Sequence, residues 1–173
     1  MGAVRPGRVG IAWAVASRPL AGGTIRRTVR AALAHGGRPR IDVDVALVSD
    51  RRLSAIHERF LGDPSPTDVI SFDLGEDDGS PAGEIYVSVD RARAVARERG
   101  VAVGRELQLY LVHGALHLCG YDDRSSRDRR RMRDAEATVL ASLRSRRPGS
   151  RGGVRVRTAG RTADRKIEKT SGG

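Results

Sequence analysis

The stretch RIDVDVALVSD, residues 40–50, alternates Ile41, Val43, Val45 and Leu47 with Asp42 and Asp44. That is the period of a strand that buries one face and wets the other. Segments of helical period flank it. Upstream, GGTIRRTVRAALAHGG places Ile25, Val29, Ala32 and Leu33 at helical spacing, with Thr24 as N-cap and Gly36 as stop. Downstream, Asp50 opens a short helix carrying Leu53, Ile56 and Phe60. A half-buried strand between amphipathic helices points to a sheet covered by helices.

The rest of the chain extends that pattern. RPGRVGIAWAVAS, near the N-terminus, imitates a secretory signal weakly, with arginines, a short apolar run and an A-V-A triplet. The run from Val9 to Ala16 is short for a signal, and we read it as a first strand. LGDPSPTDVISFDL holds two prolines and a glycine, which force an irregular loop before a β-rich run from Val69 to Phe72. EDDGSPAG reads as a turn, and EIYVSVD, Glu84 to Asp90, as the second strand of a hairpin. Asp90 is placed to cap a helix through Arg99, and Gly104 begins another with Leu107, Leu111, Ala115 and Leu118 along one side, ended by Gly120. Ser125 or Ser126 starts a last helix carrying Met132, Ala135, Val139 and Leu143. The expectation is one small α/β (α+β) domain over residues 1–143, a mixed sheet of about four strands covered by about five helices. Residues 144–173, rich in Gly, Ser and Arg with little to bury, are expected to form a disordered basic tail.

The formal charge of +11 suggests a polyanionic partner. Its placement weakens that inference: ten of the 32 basic residues and two of the 21 acids fall in 144–173, leaving +3 for the rest. Lys166 and Lys169 are the chain's lysines and every other basic residue is arginine, as a biased base composition could produce. A solvated tail and a tail that touches RNA both remain open. Aromatics make up 3% of the chain, so the core must be aliphatic. Cys119 is the single cysteine, which rules out an internal disulfide and fits a reducing, cytoplasmic compartment. No run approaches the roughly 18 apolar residues of a membrane span.

Two of the four histidines stand in HGALHLCGYDD, residues 113–123. Residues four apart on a helix share a face, so His113 and His117 can grip one metal ion. Zinc takes imidazole and carboxylate ligands, and a catalytic site keeps three protein ligands and one open position. Gly120 turns the chain back, and Asp123, or less favourably Asp122, follows at once. The plain alternative is a chance pair of histidines with aspartates closing a turn. Against it, imidazoles at the end of so apolar a helix would be costly to bury unpaired.

HGALHLCGYDD resembles the signature of the YbeY endoribonucleases, metal-dependent enzymes of bacterial ribosomal RNA maturation, H-G-x-L-H-L-x-G-Y-D-H, at every position but the last. PSPTDVISF is similar to that family's P-T-D-V-L-S-F segment and GEIYVSVDRA to its G-D-I-x-I-S strand. Met132 and Glu136 match a methionine and a glutamate beyond the third ligand. The resemblance covers about residues 5–143. It implies one Zn2+ per chain held by His113, His117 and Asp123, and an endoribonuclease acting on single-stranded ribosomal RNA, with the ribosome or its proteins as partners. Two positions depart from the pattern. Asp123 stands where the family usually has histidine, which makes the site one charge more negative and its water less acidic. Leu61 stands where an arginine is common, and Arg59 is the nearest candidate for the same RNA contact.

A metal can polarise a phosphoryl oxygen and lower the pKa of its water, so no nucleophilic side chain is required; attack by the RNA 2'-hydroxyl is equally open. Glu136 either orients a ligand histidine by accepting its second ring proton or makes an ordinary ion pair. Asp68 is a substrate-facing acid or a turn cap, the cap being the simpler reading. A metalloprotease shares the histidine spacing, but its glutamate base falls here on Gly114. The remaining alternative is a ribosome-associated RNA-binding protein with a structural metal. His35 and His57 are expected at surfaces or helix ends, and Cys119 as a small packing residue.

Overall fold

The computed structural model describes residues 5–63, 65–77 and 80–145. Strand β1 (Val9–Trp13) is followed by helix α1 (Gly22–His35), β2 (Asp42–Val48), α2 (Asp50–Leu61), β3 (Val69–Asp77) and β4 (Ser80–Ser88). Three helices complete the described part: α3 (Val89–Arg99), α4 (Val103–Leu118) and α5 (Ser126–Ser145). The strands form one mixed sheet in the order β1-β2-β4-β3, with β1, β2 and β4 parallel and β3 antiparallel to β4. The α/β class, the four-stranded mixed sheet and the five helices agree with the sequence reading. α5 runs on through Ser145, two residues into the segment expected as a tail, and the rest of that segment, 146–173, lies outside the described residues.

Several element boundaries move. The hairpin is longer than its apolar residues suggested, because pairing continues from Val69↔Val87 out to Asp77↔Ser80 through a bulge between Asp73 and Gly75. A bulge absorbs one unpaired residue, so the ladder resumes beyond it in a polar segment. Its tip, residues 78–79, lies outside the described residues. Ser49 and Ser88, rather than Asp50 and Asp90, cap α2 and α3, their hydroxyls accepting the N–H groups of Arg52 and Arg91 at 3.3 and 3.0 Å. Asp90 instead accepts the Asp50 N–H at 3.1 Å, tying the two helix starts together. α1 begins at Gly22 after Ala21, with Thr24 already inside its first turn.

The core is aliphatic, as the composition required. Val43, Val45, Leu47, Ile85 and Val87 of the sheet meet Ile25, Val29 and Leu33 of α1 and Leu107, Leu111 and Ala115 of α4, while Met132, Ala135 and Val139 of α5 close the cluster. Each such fully buried Val, Leu, Ile or Met contributes roughly 1.5–3 kcal/mol. Among the described residues, the other face of the sheet carries α2 over a small cluster of Val48, Leu53 and Ile70, and Phe60, Leu61 and Leu74 are exposed. Helix α4 is the centre of the molecule, packing against α1, α3, α5, β3 and β4. No helix among the described residues is long and apolar enough to cross a membrane.

Candidate metal centre

Close packing of α4 on the sheet fixes where its histidines stand. A Cβ at Gly114 would lie 2.8 Å from Ile85 Cγ2 and 2.9 Å from Ser71 Oγ and Val69 Cγ2. Real side chains do not approach so closely, so glycine lets the helix touch β3 and β4. The Ser71 hydroxyl donates to the Gly114 carbonyl at 2.9 Å and fixes the register. With residue 114 turned to the sheet, His113 and His117 stand half-buried on the flank of that contact, side chains 23% and 30% exposed.

The helix then reverses. Gly120, at φ 83°, adopts a conformation that side chains resist. Its N–H bonds the His117 carbonyl at 3.0 Å and the Tyr121 N–H bonds the Leu116 carbonyl at 3.1 Å, closing the helix end. Arg38 donates to both the Leu118 carbonyl and Asp73, joining that end to β3. The turn also separates the two aspartates. Asp122 spends a carboxylate oxygen on the Asp123 N–H at 2.8 Å, while Asp123 points its own back towards the histidines.

Three ligand atoms converge. His117 Nε2 lies 2.9 Å from His113 Nε2, and Asp123 Oδ2 lies 3.7 and 3.9 Å from His113 and His117 Nε2. A tetrahedral zinc with bonds of about 2.0–2.1 Å sets its ligand atoms roughly 3.4 Å apart, so these separations bracket what the ion needs. The donor set of two imidazoles and a carboxylate also suits it. On the far side of His113, Nδ1 donates to Glu136 Oε1 at 2.7 Å. This assigns the proton to Nδ1 and leaves a lone pair on Nε2, facing His117. Two ring nitrogens so close require a proton or a cation between them.

Charge divides the pair. Burial opposes protonation of His113, yet the hydrogen bond and charge of Glu136, with Asp68 and Asp123, raise its pKa above the ordinary imidazole value. His117 moves the opposite way, lowered by burial and by the charge of His113.

Beside His113 opens a cleft of about 430 Å³. One wall is Tyr110 and His113 of α4 with Glu136 of α5; another is Arg91, Val95 and Arg99 of α3; the segment Pro66–Asp68 closes it. Asp68 therefore faces the cleft, and the turn ahead of β3 is closed by the Thr67 hydroxyl on the Val69 carbonyl at 3.3 Å. Arg59 is not among the lining residues: it lies over the Phe60 ring at 5.4 Å, on α2. Sequence reasoning did not single out Arg91 and Arg99. Their spacing with Val95 signals a shared helix face, but not what that face meets. His57 bonds the Ser65 carbonyl at 3.0 Å through Nδ1, His35 lies near the Tyr121 ring, and Cys119 packs where Gly36 leaves room.

Comparison with known proteins bears on the family and the fold. A family model described as Endoribonuclease YbeY matches residues 20–144. An Endoribonuclease YbeY from Anaeromyxobacter sp. is 42% identical over 117 residues, covering 66% of this chain and 61% of that protein, less than two thirds of its length. One from Anaeromyxobacter dehalogenans is 36% identical over 143 residues, covering 82% and 74%. The solution structure of TM1509 from Thermotoga maritima matches with a TM-score of 0.53 at 25% identity, covering 83% of this chain and 98% of that one.

Proposed function

This chain belongs to the YbeY endoribonuclease family, and from that premise we propose that it is a zinc-dependent endoribonuclease. In this reading it cuts single-stranded RNA in the maturation of ribosomal RNA, in contact with the ribosome and in the cytoplasm. The observation that carries the reading is the convergence of His113 Nε2, His117 Nε2 and Asp123 Oδ2, beside a cleft that His113 also lines. His113, His117 and Asp123 hold the ion, one per chain. A zinc ion bound there supplies Lewis acidity towards a phosphodiester oxygen and a water of lowered pKa.

The chain's own residues do the rest. Glu136 keeps the Nδ1 proton of His113 in place, so that its Nε2 lone pair stays directed at the ion. Asp123 supplies the charge that makes the set less positive than three imidazoles. Tyr110 offers a phenol to the cleft, and its pKa is pushed up to about 12 by burial and by the charges of Asp68 and Glu106. It thus remains a donor at neutral pH. Peptide hydrolysis with a glutamate base between the histidines has no place here, since position 114 faces the sheet and admits no side chain.

The test is cleavage of a fluorescently labelled single strand and of its duplex by zinc-loaded protein, by chelator-treated protein and by His117→Ala. Cleavage of the single strand alone, lost in the last two preparations, is expected. RNA binding without cleavage, indifferent to chelation, would replace this reading with that of an RNA-binding scaffold.

A further inference from the structure

The cleft beside His113 has walls of unlike charge. Asp68 and Glu136 line it on the side of His113, with Asp123 just beyond in the metal centre, whereas α3 brings Arg91 and Arg99 to another wall. The two arginines and Val95 between them stand four apart and share one helix face. Their pairing is incomplete. On the neighbouring face Arg93 reaches Asp90 at 3.5 Å, but the Arg91 guanidinium has no carboxylate partner among the described residues. Arg99 uses only Nη1, at 3.3 and 3.4 Å from the two oxygens of Glu106, which is 5% exposed. That buried carboxylate anchors the side chain and leaves Nε and Nη2 without an acceptor among the described residues.

Guanidinium groups with spare, forked donors in a half-enclosed cleft match phosphate oxygens. His113 and the two arginines line the same cleft, so a strand with one phosphate at the metal centre can lead a neighbouring phosphate along it. We propose, resting on the RNA-cleavage reading above, that Arg91 and Arg99 form a subsite for a phosphate flanking the scissile one. The subsite makes the chain prefer substrates that carry a second phosphate, and it fixes the direction in which the strand crosses His113. Contact energy from a group that does not react is then available to the reaction itself.

The experiment compares kcat/KM of the zinc-loaded protein on a dinucleotide with one internal phosphate and on the same dinucleotide phosphorylated at its 5' or its 3' end. The wild-type protein favours one of the two phosphorylated forms by about tenfold, the size of one charge-assisted contact. Arg91→Gln and the double change Arg99→Gln/Glu106→Gln, which strands no buried charge, bring that ratio towards one. Arg97→Gln, an equal loss of charge on an exposed face of α3, keeps it. A wild-type ratio near one at both ends, or a ratio that survives in both cleft variants, overturns the subsite. If no dinucleotide is cut, the single-strand assay above still decides the cleavage reading, and binding of a short oligouridylate to metal-free protein decides the subsite. Arg91→Gln should reduce the slope of log affinity against log salt by about 0.7 per lost phosphate contact, and an unchanged slope overturns the proposal. Melting temperatures of all variants verify that they fold.

Discussion

His113, His117 and Asp123 lie within eleven residues of chain, on the end of a helix buried along most of its length and on the turn behind it. Arg91 and Arg99, across the cleft, lie on a helix whose last residues, Arg97, Glu98 and Arg99, are exposed. The first wall is therefore held by the core itself: moving α4 would disturb Leu107, Leu111 and Ala115 together with both histidines. The second wall is held by one face of α3 and tolerates change in its side chains. Chemistry that needs ångström precision sits on the first, and chemistry that needs only charge in roughly the right place sits on the second.

Breaking the first wall should cost most. His117→Ala removes a ligand and should lower cleavage by at least about a thousandfold, some 4 kcal/mol of barrier, while circular dichroism shows the fold intact. Retained activity would leave the wall without its assigned role. Gly114→Ala attacks the same wall through packing, since the new methyl would press on Ile85, Ser71 and Val69. We expect a loss of about 1–3 kcal/mol in denaturant unfolding, and an unchanged midpoint would mean that α4 is not clamped to β3 and β4 as described. Glu136→Gln leaves the three ligands in place but removes the anionic acceptor of the His113 proton. Zinc affinity, measured by competition with a chelator, should fall about 10–100-fold.

The smallest effect concerns the joint between the helix end and the hairpin. Arg38 holds Asp73 below the usual carboxylate range by its hydrogen bond, helped by the Gly75 N–H, against the opposing cost of burial. A carboxyl group whose folded pKa is depressed adds stability that is present above its unfolded pKa, about 3.9, and is lost as pH falls through the lower folded value. Arg38→Gln should therefore be less stable than wild type at neutral pH, by at most about 1 kcal/mol for so exposed an ion pair. The difference should shrink below about pH 4. A difference that is constant with pH would mean that Arg38 acts through the Leu118 carbonyl alone.

What could be read from the sequence follows the same division. The strand at Asp42 and the helices around Ile25, Leu53, Leu111 and Val139 announce themselves by period, because one face of each is buried, whereas the strand at Val9 shows only as a short apolar run. The histidine pair and Gly120 are legible because helix geometry and a forced turn act over a few residues. The serine caps of α2 and α3 were missed for a local reason: Asp50 follows Ser49 directly and Asp90 follows Ser88 by two residues, and either acid is equally able to cap. The reach of β3 to Asp77 was hidden because its outer residues, Gly75, Glu76 and Asp77, carry no apolar alternation in the sequence. Arg91 and Arg99 were invisible for a longer-range reason: in a chain with 32 basic residues, nothing local says which helix face will dock beside His113. Asp68 was read as a cap because its neighbours in sequence make a turn, whereas Tyr110 and His113, which it meets in the cleft, lie some forty residues away.

The central claim is that Asp123 completes a metal site with two histidines, and metal content per chain tests it most directly. Elemental analysis of natively purified wild type, Asp123→Ala and Asp123→His should find about one zinc in the first and last, a stoichiometry set by a single three-ligand centre, and little in Asp123→Ala. Wild-type protein that stays metal-free after zinc is offered, or an Asp123→Ala variant that keeps a full complement, would contradict the account.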